Sequence, residues 1–177
     1  VISNAIAEAS SKHDLLITSG GISAGEEDHV RAAVQSLGSL YFWRFAIKPG
    51  RPVALGQIEN TAFLGLPGNP VAAMITFMII ARPMIKILAG STDFTNNYFQ
   101  IYSNFKYTKK IGRREWVRVI LETNKNGQLI AQKFPSSGSG ILMSMVKSHG
   151  LVEIGEEIEA IDKGDLVNFL PFSEVMQ

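Results

Sequence analysis

Between residues 15 and 70, short apolar runs alternate with three turns rich in glycine and proline, and few architectures accept that alternation. The turns are Ser19-Gly20-Gly21-Ile22-Ser23-Ala24-Gly25-Glu26-Glu27-Asp28, then Lys48-Pro49-Gly50-Arg51-Pro52, then Gly65-Leu66-Pro67-Gly68-Asn69-Pro70. In an open α/β sheet the loops after successive strands converge at the carboxyl ends of those strands, so three such loops imply one shared crevice. Two of them offer glycine backbone amides and the middle one offers cations, a combination suited to an anionic ligand.

The segments between the turns fit this reading. Leu15-Leu16-Ile17-Thr18 is a short, partly β-branched run, predicted to be a strand buried on both faces. Val30, Ala33, Val34 and Leu37 then repeat at helical spacing, with Glu26, Glu27 and Asp28 ahead of them and Gly38 behind as a C-cap. Residues 40–47, with Tyr41, Phe42, Trp43 and Phe45, read as a second strand. Val53-Ala54-Leu55 and Thr61-Ala62-Phe63-Leu64 read as a hairpin around Glu59-Asn60. Asn69-Pro70 starts a helix over 71–88, with asparagine as the cap and Pro83 as an expected kink. Its apolar character nearly all round suits a core or dimer-interface helix. At the amino end Ile2, Ala5, Ile6 and Ala9 already follow the i, i+3, i+4, i+7 pattern, and Val1 stands where an initiator methionine would, so a piece of a longer chain is expected.

At Gly90-Ser91-Thr92 the composition shifts to shorter β-like runs: 98–107, 116–122, 128–134, 150–154 and 166–170. Turns at Asn124-Lys125-Asn126-Gly127 and Lys163-Gly164-Asp165 separate them, and one short helix is expected over 141–147, after the Ser136-Ser137-Gly138-Ser139-Gly140 loop. This pattern predicts a small β-barrel or sandwich. Two domains follow, 1–90 of α/β type and 91–177 all-β.

Composition narrows the function classes. The 17 basic and 16 acidic side chains leave a net charge of +1, so no global basic field invites nucleic acid or a membrane surface, and charge-based binding must be local. The absence of cysteine excludes disulfides, thiolate metal sites and cysteine nucleophiles. The apolar run over 71–81 falls short of the roughly 20 residues of a spanning helix, and no signal peptide opens the chain. A cytoplasmic protein with no membrane partner is therefore expected.

The candidate site residues carry a plain structural reading beside the chemical one. Ser19, Gly20 and Gly21 leave amides open to an anion, or simply form a tight βα turn. Asp28 and Glu26 offer hard oxygen ligands for a divalent cation, or a solvated acidic helix start. Arg44 and Lys48 lie four apart and, on one strand, share a face; with Arg51 they make an oxyanion clamp or a soluble surface. Pro67 and Pro70 stiffen the turn around Gly68 and Asn69, for a ligand or for a strand-to-helix corner. Arg113, Arg114 and Arg118 surround Trp116 and read, alone, as a solvated strand face. His13, His29 and His149 lack metal-ligand spacing.

Together, in this order and spacing, the three turns resemble the MoeA-type molybdopterin molybdenumtransferases, whose eukaryotic relatives include the E domains of gephyrin and plant Cnx1. The resemblance covers residues 1 to about 90; beyond them Gly112-Arg113, Arg118 and Ser137-Gly138-Ser139-Gly140 resemble the family's C-terminal domain. It implies a three-layer α/β molybdopterin-binding-like domain, lacking its amino-terminal strand and Thr-Gly-Asp/Glu-type loop, followed by a small all-β barrel. It also implies insertion of molybdenum from molybdate into adenylylated molybdopterin, with Mg²⁺ assisting and AMP leaving. By position Asp28, Lys48 and Arg44 match catalytic residues, and Asp28 with Glu26 the Mg²⁺ site. Ser19, Gly20, Gly21, Ser23, Gly25, Arg51, Pro67, Gly68, Asn69 and Pro70 match the substrate-binding loops, joined by Arg118 and Ser139. Arg44 stands where lysine is common, which keeps the charge and changes the donor geometry. The family acts as homodimers in which one subunit's C-terminal domain helps close the other's cleft. A MogA-like adenylyltransferase, a CinA-like domain and a non-catalytic scaffold are the alternatives.

Overall fold

A computed structural model describes residues 1–22, 29–42, 44–135, 138 and 141–176. The chain divides into two compact units, one of residues 1–45 and 50–94 and the other of residues 46–49 and 95–177.

The first unit is α/β. Helix α1 (Ile2–Ser10) buries Ile6, and strand β1 (Leu15–Ser19) follows it. Helix α2 (His29–Leu37) buries Ala33 and Val34 on its apolar stripe. Strands β2 (Ser39–Phe42), β4 (Ala54–Ile58) and β5 (Thr61–Leu66) complete a sheet of order β1-β5-β4-β2, while β3 (Ile47–Lys48) belongs to the other unit. The expected hairpin is present: β4 and β5 run antiparallel from Ala54↔Gly65 to Ile58↔Thr61. Strand β1 pairs with β5 in parallel, from Leu15↔Ala62 to Ser19↔Leu66. Among the described strands β1 lies at the sheet edge, so Ile17 is 37% exposed and the expected burial on both faces does not hold. Leu16, Ile22, Val34, Ala54, Ile58 and Phe63 form the core between helices and sheet.

Gly38 follows α2 as predicted, but not as a left-handed cap, since its φ is not positive. A Cβ there would sit 2.1 Å from the Gln57 carbonyl, so close strand approach requires the glycine. The long apolar helix runs from Pro70 to Leu88 in three parts: α3 (Pro70–Thr76), a π turn over Phe77–Ala81, and α4 (Arg82–Leu88). The π turn, rather than Pro83 alone, is where the helix departs from regularity, and Arg82 N–H reaches back to the Phe77 carbonyl just before the residue that has no N–H. At 19 residues and mean hydropathy 1.9 this helix is long and apolar enough to cross a membrane by length and composition, against the expectation from residues 71–81 alone. Val71, Ile75, Met78 and Ala81 are buried in the unit, while Phe77, Ile85, Ile87 and Leu88 are exposed.

The second unit contains a closed five-stranded barrel. Its strands are β6 (Phe99–Ser103), β8 (Arg114–Thr123), β9 (Leu129–Lys133), β10 (Gly150–Ile154) and β12 (Leu166–Pro171). The order β10-β12-β6-β9-β8 closes because β10 also pairs with β8, from Gly150↔Val119 to Ile154↔Glu115. A closed barrel leaves none of these strands as an open edge. Strands β7 (Tyr107–Thr108) and β11 (Ala160–Ile161) make a separate ribbon, and α5 (Met143–Val146) and α6 (Phe172–Val175) are single turns. Ile101, Val117, Val119, Val152, Ile154 and Phe169 point into the barrel core.

Candidate functional site

In the first unit the parallel register of β1 and β5 sends two of the three turns out of the same sheet edge. Gly20 N–H donates to the Leu66 carbonyl at 2.9 Å, and the Ser19 hydroxyl to the Pro67 carbonyl at 3.3 Å. The glycines touch directly: a Cβ on Gly68 would lie 3.3 Å from Gly20 Cα. Gly20 and Gly21 adopt φ of +86° and +68°, a region that disfavours other L-residues, and a Cβ on Gly21 would lie 2.6 Å from Val30 Cγ2. Backbone approach at this spot is thus fixed by sequence, and Ser19, Gly20, Gly21, Pro67, Gly68, Asn69 and Pro70 form one contiguous loop pair. Asn69 occupies the position before the helix, yet its side chain makes no capping bond. Its Oδ1 is buried and has no hydrogen-bond partner among the described residues, an orphan acceptor within the loop pair.

The middle turn behaves differently from its prediction. Residues 40–47 do not form one strand: β2 ends at Phe42, Arg44 is exposed in irregular chain, and Lys48 belongs to β3. Arg44 and Lys48 therefore do not share a strand face. The chain makes an excursion closed at its base by Phe45 N–H to the Arg51 carbonyl, 3.0 Å. Within it β3 joins the second unit, pairing in parallel with β8 as Ile47↔Arg114 and Lys48↔Glu115. Arg51 lies exposed where the chain returns to the first unit.

Lys48 enters a network around Glu115, whose side chain is 1% exposed. The Lys48 ammonium lies 3.3 Å from Glu115 Oε2, and the Tyr107 hydroxyl donates to the same oxygen at 2.6 Å. Arg113 donates to Oε1 through Nε at 2.9 Å and through a terminal nitrogen. Burial alone would raise the Glu115 carboxyl, but the bonds from Tyr107 and Arg113 and the charge of Lys48 outweigh it and hold it below the usual carboxylate range. Burial and the bond to Glu115 push the Tyr107 phenol up, so it stays protonated. Arg113 neutralises the carboxylate, and Lys48, about half exposed, keeps its charge facing outward.

Arg118 is 7% exposed, not on a solvated face, and burial pulls its guanidinium down from its ordinary value. It donates to the Gly138 carbonyl at 3.1 Å and to the Ser144 hydroxyl at 2.8 Å, and so ties strand β8 to the serine-glycine loop. Trp116, 7% exposed, and Tyr98 both donate to Glu153, which Arg114 also faces. Ser23, Gly25, Glu26, Asp28 and Ser139 lie outside the described residues.

The description "Probable molybdopterin binding domain" matches residues 1–87, and the MoeA C-terminal region (domain IV) matches residues 100–172. The chain belongs to the MoeA family. A molybdopterin molybdenumtransferase of Haemophilus influenzae is 36% identical over 95% of this chain and 42% of its own length. The molybdenum cofactor synthesis protein cinnamon of Drosophila melanogaster is 32% identical over 80% of this chain and 24% of its own. A solved MoeA protein from Pyrococcus horikoshii superposes with a TM-score of 0.74 at 24% identity, covering 97% of this chain and 40% of that one, and shares the fold. The chain thus spans about two fifths or less of the length of the curated relatives it matches. The second match speaks against the MogA-like and CinA-like alternatives, which the resemblance kept open.

Within this MoeA-family chain, no group of three or more histidine, aspartate or glutamate side chains among the described residues is placed to hold a metal ion. The carboxylates expected to hold Mg²⁺, Glu26 and Asp28, lie outside those residues. Tyr107 and Glu115, the hub of the Lys48 network, were missed from sequence. The alternation Glu115, Val117, Val119 along β8 was the available signal, since period 2 puts Glu115 on the face that Val117 and Val119 bury.

Proposed function

We propose that this chain supplies the oxyanion-handling part of a molybdopterin molybdenumtransferase, acting in molybdenum cofactor biosynthesis by inserting molybdenum from molybdate into adenylylated molybdopterin. The observation that carries the reading is the direct approach of Gly20 and Gly68, with φ positive at Gly20, which leaves backbone at the loop surface where side chains would otherwise stand. Each unit offers one set of anion-binding groups: the paired glycine-proline loops on the first, and Lys48 held by Glu115 on the second. Molybdate and the pterin phosphate are both oxyanions, which amide donors and an ammonium stabilise through charge-assisted bonds. Asn69 Oδ1 is an acceptor with no partner among the described residues, suited to an N–H or O–H of the pterin. Arg44 and Arg51 add charge to the first unit, and Arg118 donates to the Gly138 carbonyl, one residue before Ser139 in sequence.

Asp28 and Glu26 are the residues to which Mg²⁺ falls in this proposal, as the carboxylates of the first loop. A homodimer in the cytoplasm completes it, with the exposed apolar side of the Pro70–Leu88 helix as a candidate contact surface. Isothermal titration of molybdate into wild type and Lys48→Ala at two ionic strengths tests the reading. Weaker binding in the variant, and weaker binding by wild type at high salt, is the expected result. Equal affinity in the two proteins would assign Lys48 to the surface and leave the second unit without an anion-binding set.

A further inference from the structure

The Tyr107 ring gathers more positive charge than Lys48 alone. Lys48 Nζ lies 5.9 Å from the ring centroid and Lys133 Nζ lies 5.6 Å from it. Arg113 and Arg118 also act on the Tyr107 phenol through their charge. Against these four cations stands the Glu115 carboxylate, nearly fully buried and already paired with Arg113. Lys133, at the last residue of β9, makes no ion pair among the described residues; the ring is its recorded partner. Lys48 Nζ sits at the hydroxyl end of the ring, 3.4 Å from the Tyr107 oxygen and 3.3 Å from Glu115 Oε2, and shares its charge with that carboxylate. The ring, by contrast, holds the Lys133 ammonium without neutralising it and leaves that charge available to a ligand.

We propose that Lys133 is a second cation of the Lys48 site, and that the pair, seated on Tyr107, binds a tetrahedral oxyanion on the barrel. The inference rests on the reading of Lys48 as an anion-binding residue. Three features support it. The two ammonium groups reach one ring from two strands that both pair with β8, Lys48 opposite Glu115 and Lys133 opposite Val119. Their flexible four-carbon stems allow both tips to settle on one small dianion. Glu115 anchors Lys48 and Tyr107 from below, so the platform is built before a ligand arrives. The shared chemistry is that of molybdate and of a phosphate group, and the two sources are separated by experiment.

Molybdate and inorganic phosphate are titrated separately, at low ionic strength, into wild type, Lys48→Ala, Lys133→Ala, Lys133→Arg and Lys125→Ala. Lys125 lies in the exposed 124–127 turn and controls for the loss of one positive charge. The expected result is a loss of about tenfold in affinity for at least one of the anions in both Lys48→Ala and Lys133→Ala, the size of one charge-assisted bond. Lys133→Arg retains most of the affinity and Lys125→Ala all of it. Loss for molybdate alone assigns the site to the metal oxyanion, loss for phosphate alone to the pterin phosphate, and loss for both to either anion in turn. A tenfold loss in Lys48→Ala with none in Lys133→Ala overturns the inference and leaves the functional reading standing. Unchanged affinity in Lys48→Ala overturns both. Tyr107→Leu, which removes the seat and keeps both lysines, is expected to weaken binding as well, and full affinity there also contradicts the proposed platform.

Discussion

Replacing Glu115 by glutamine removes one negative charge from the middle of three donors without changing side-chain volume. Wild-type Oε1 receives Arg113, and Oε2 receives Tyr107 at 2.6 Å and Lys48 at 3.3 Å. A glutamine amide has one accepting oxygen, so its NH₂ must turn toward either Arg113 or the Tyr107 and Lys48 donors. Turned toward Arg113 the NH₂ faces two N–H donors; turned the other way it can donate to the Tyr107 hydroxyl but still faces the Lys48 ammonium. Removing one partner of a buried ion pair costs about 3–5 kcal/mol; Lys48 is half exposed and recovers some hydration, so about 3 kcal/mol is expected. With a urea dependence of about 1.5 kcal/mol per molar, the barrel midpoint falls by about 2 M. Lys48→Ala, by contrast, removes a solvent-screened partner and costs about 1 kcal/mol or less. Urea unfolding followed by Trp116 fluorescence in a Trp43→Phe background reads the barrel, because Trp116 lies in β8. A Glu115→Gln barrel as stable as wild type, or a Lys48→Ala barrel less stable than Glu115→Gln, would refute the view that Glu115 is the hub.

The remaining predictions concern pH, the loops, the first-loop carboxylate and assembly. Because the folded-state Glu115 carboxyl sits below its unfolded value, its contribution is fully present above about pH 5 and is lost as pH falls through the folded value; acid titration of barrel stability should show this step in wild type and not in Glu115→Gln. Gly21→Ala combines φ of +68° with a contact of 2.6 Å to Val30, and is expected to destabilise the first unit by about 2 kcal/mol or more, checked by thermal unfolding. Asp28→Ala, in a protein of the relatives' full length that carries this chain, is expected to abolish cofactor formation with the fold intact, as seen by circular dichroism beside a cofactor assay. Sedimentation equilibrium at micromolar concentration is expected to show a dimer, and a Phe77→Glu, Ile87→Glu variant is expected to shift it to monomer.

Much of this architecture was legible because local signals and tertiary packing agreed. Leu15 to Thr18 falls in β1, the Glu59-Asn60 turn joins β4 and β5, and Asn69-Pro70 opens the long helix. In the barrel the runs at 150–154 and 166–170 coincide with β10 and β12 almost residue for residue, since turn residues bound them and β-branched side chains fill them. The failures at β3 and Gly38 share a cause: each depends on a partner distant in sequence. Strand β3 is two residues long, too short for any periodicity, and exists because β8 runs beyond its pairing with β9, so that Arg114 and Glu115 pair with it instead. The π turn and the role of Gly38 depend on local register and on the Gln57 carbonyl. In the site, the glycine-proline loops were readable because glycine and proline restrict the backbone itself. Tyr107 and Lys133 were not, because a ring and an ammonium acquire meaning only from what stands opposite them.

The most direct test of the account measures AMP release from adenylylated molybdopterin bound to a protein of the relatives' full length that carries this chain. The account predicts that AMP appears only when molybdate is added, in proportion to molybdenum inserted, and that Lys48→Ala raises the molybdate concentration required. AMP release of equal extent without molybdate, or a molybdate requirement unchanged by Lys48→Ala, would contradict it.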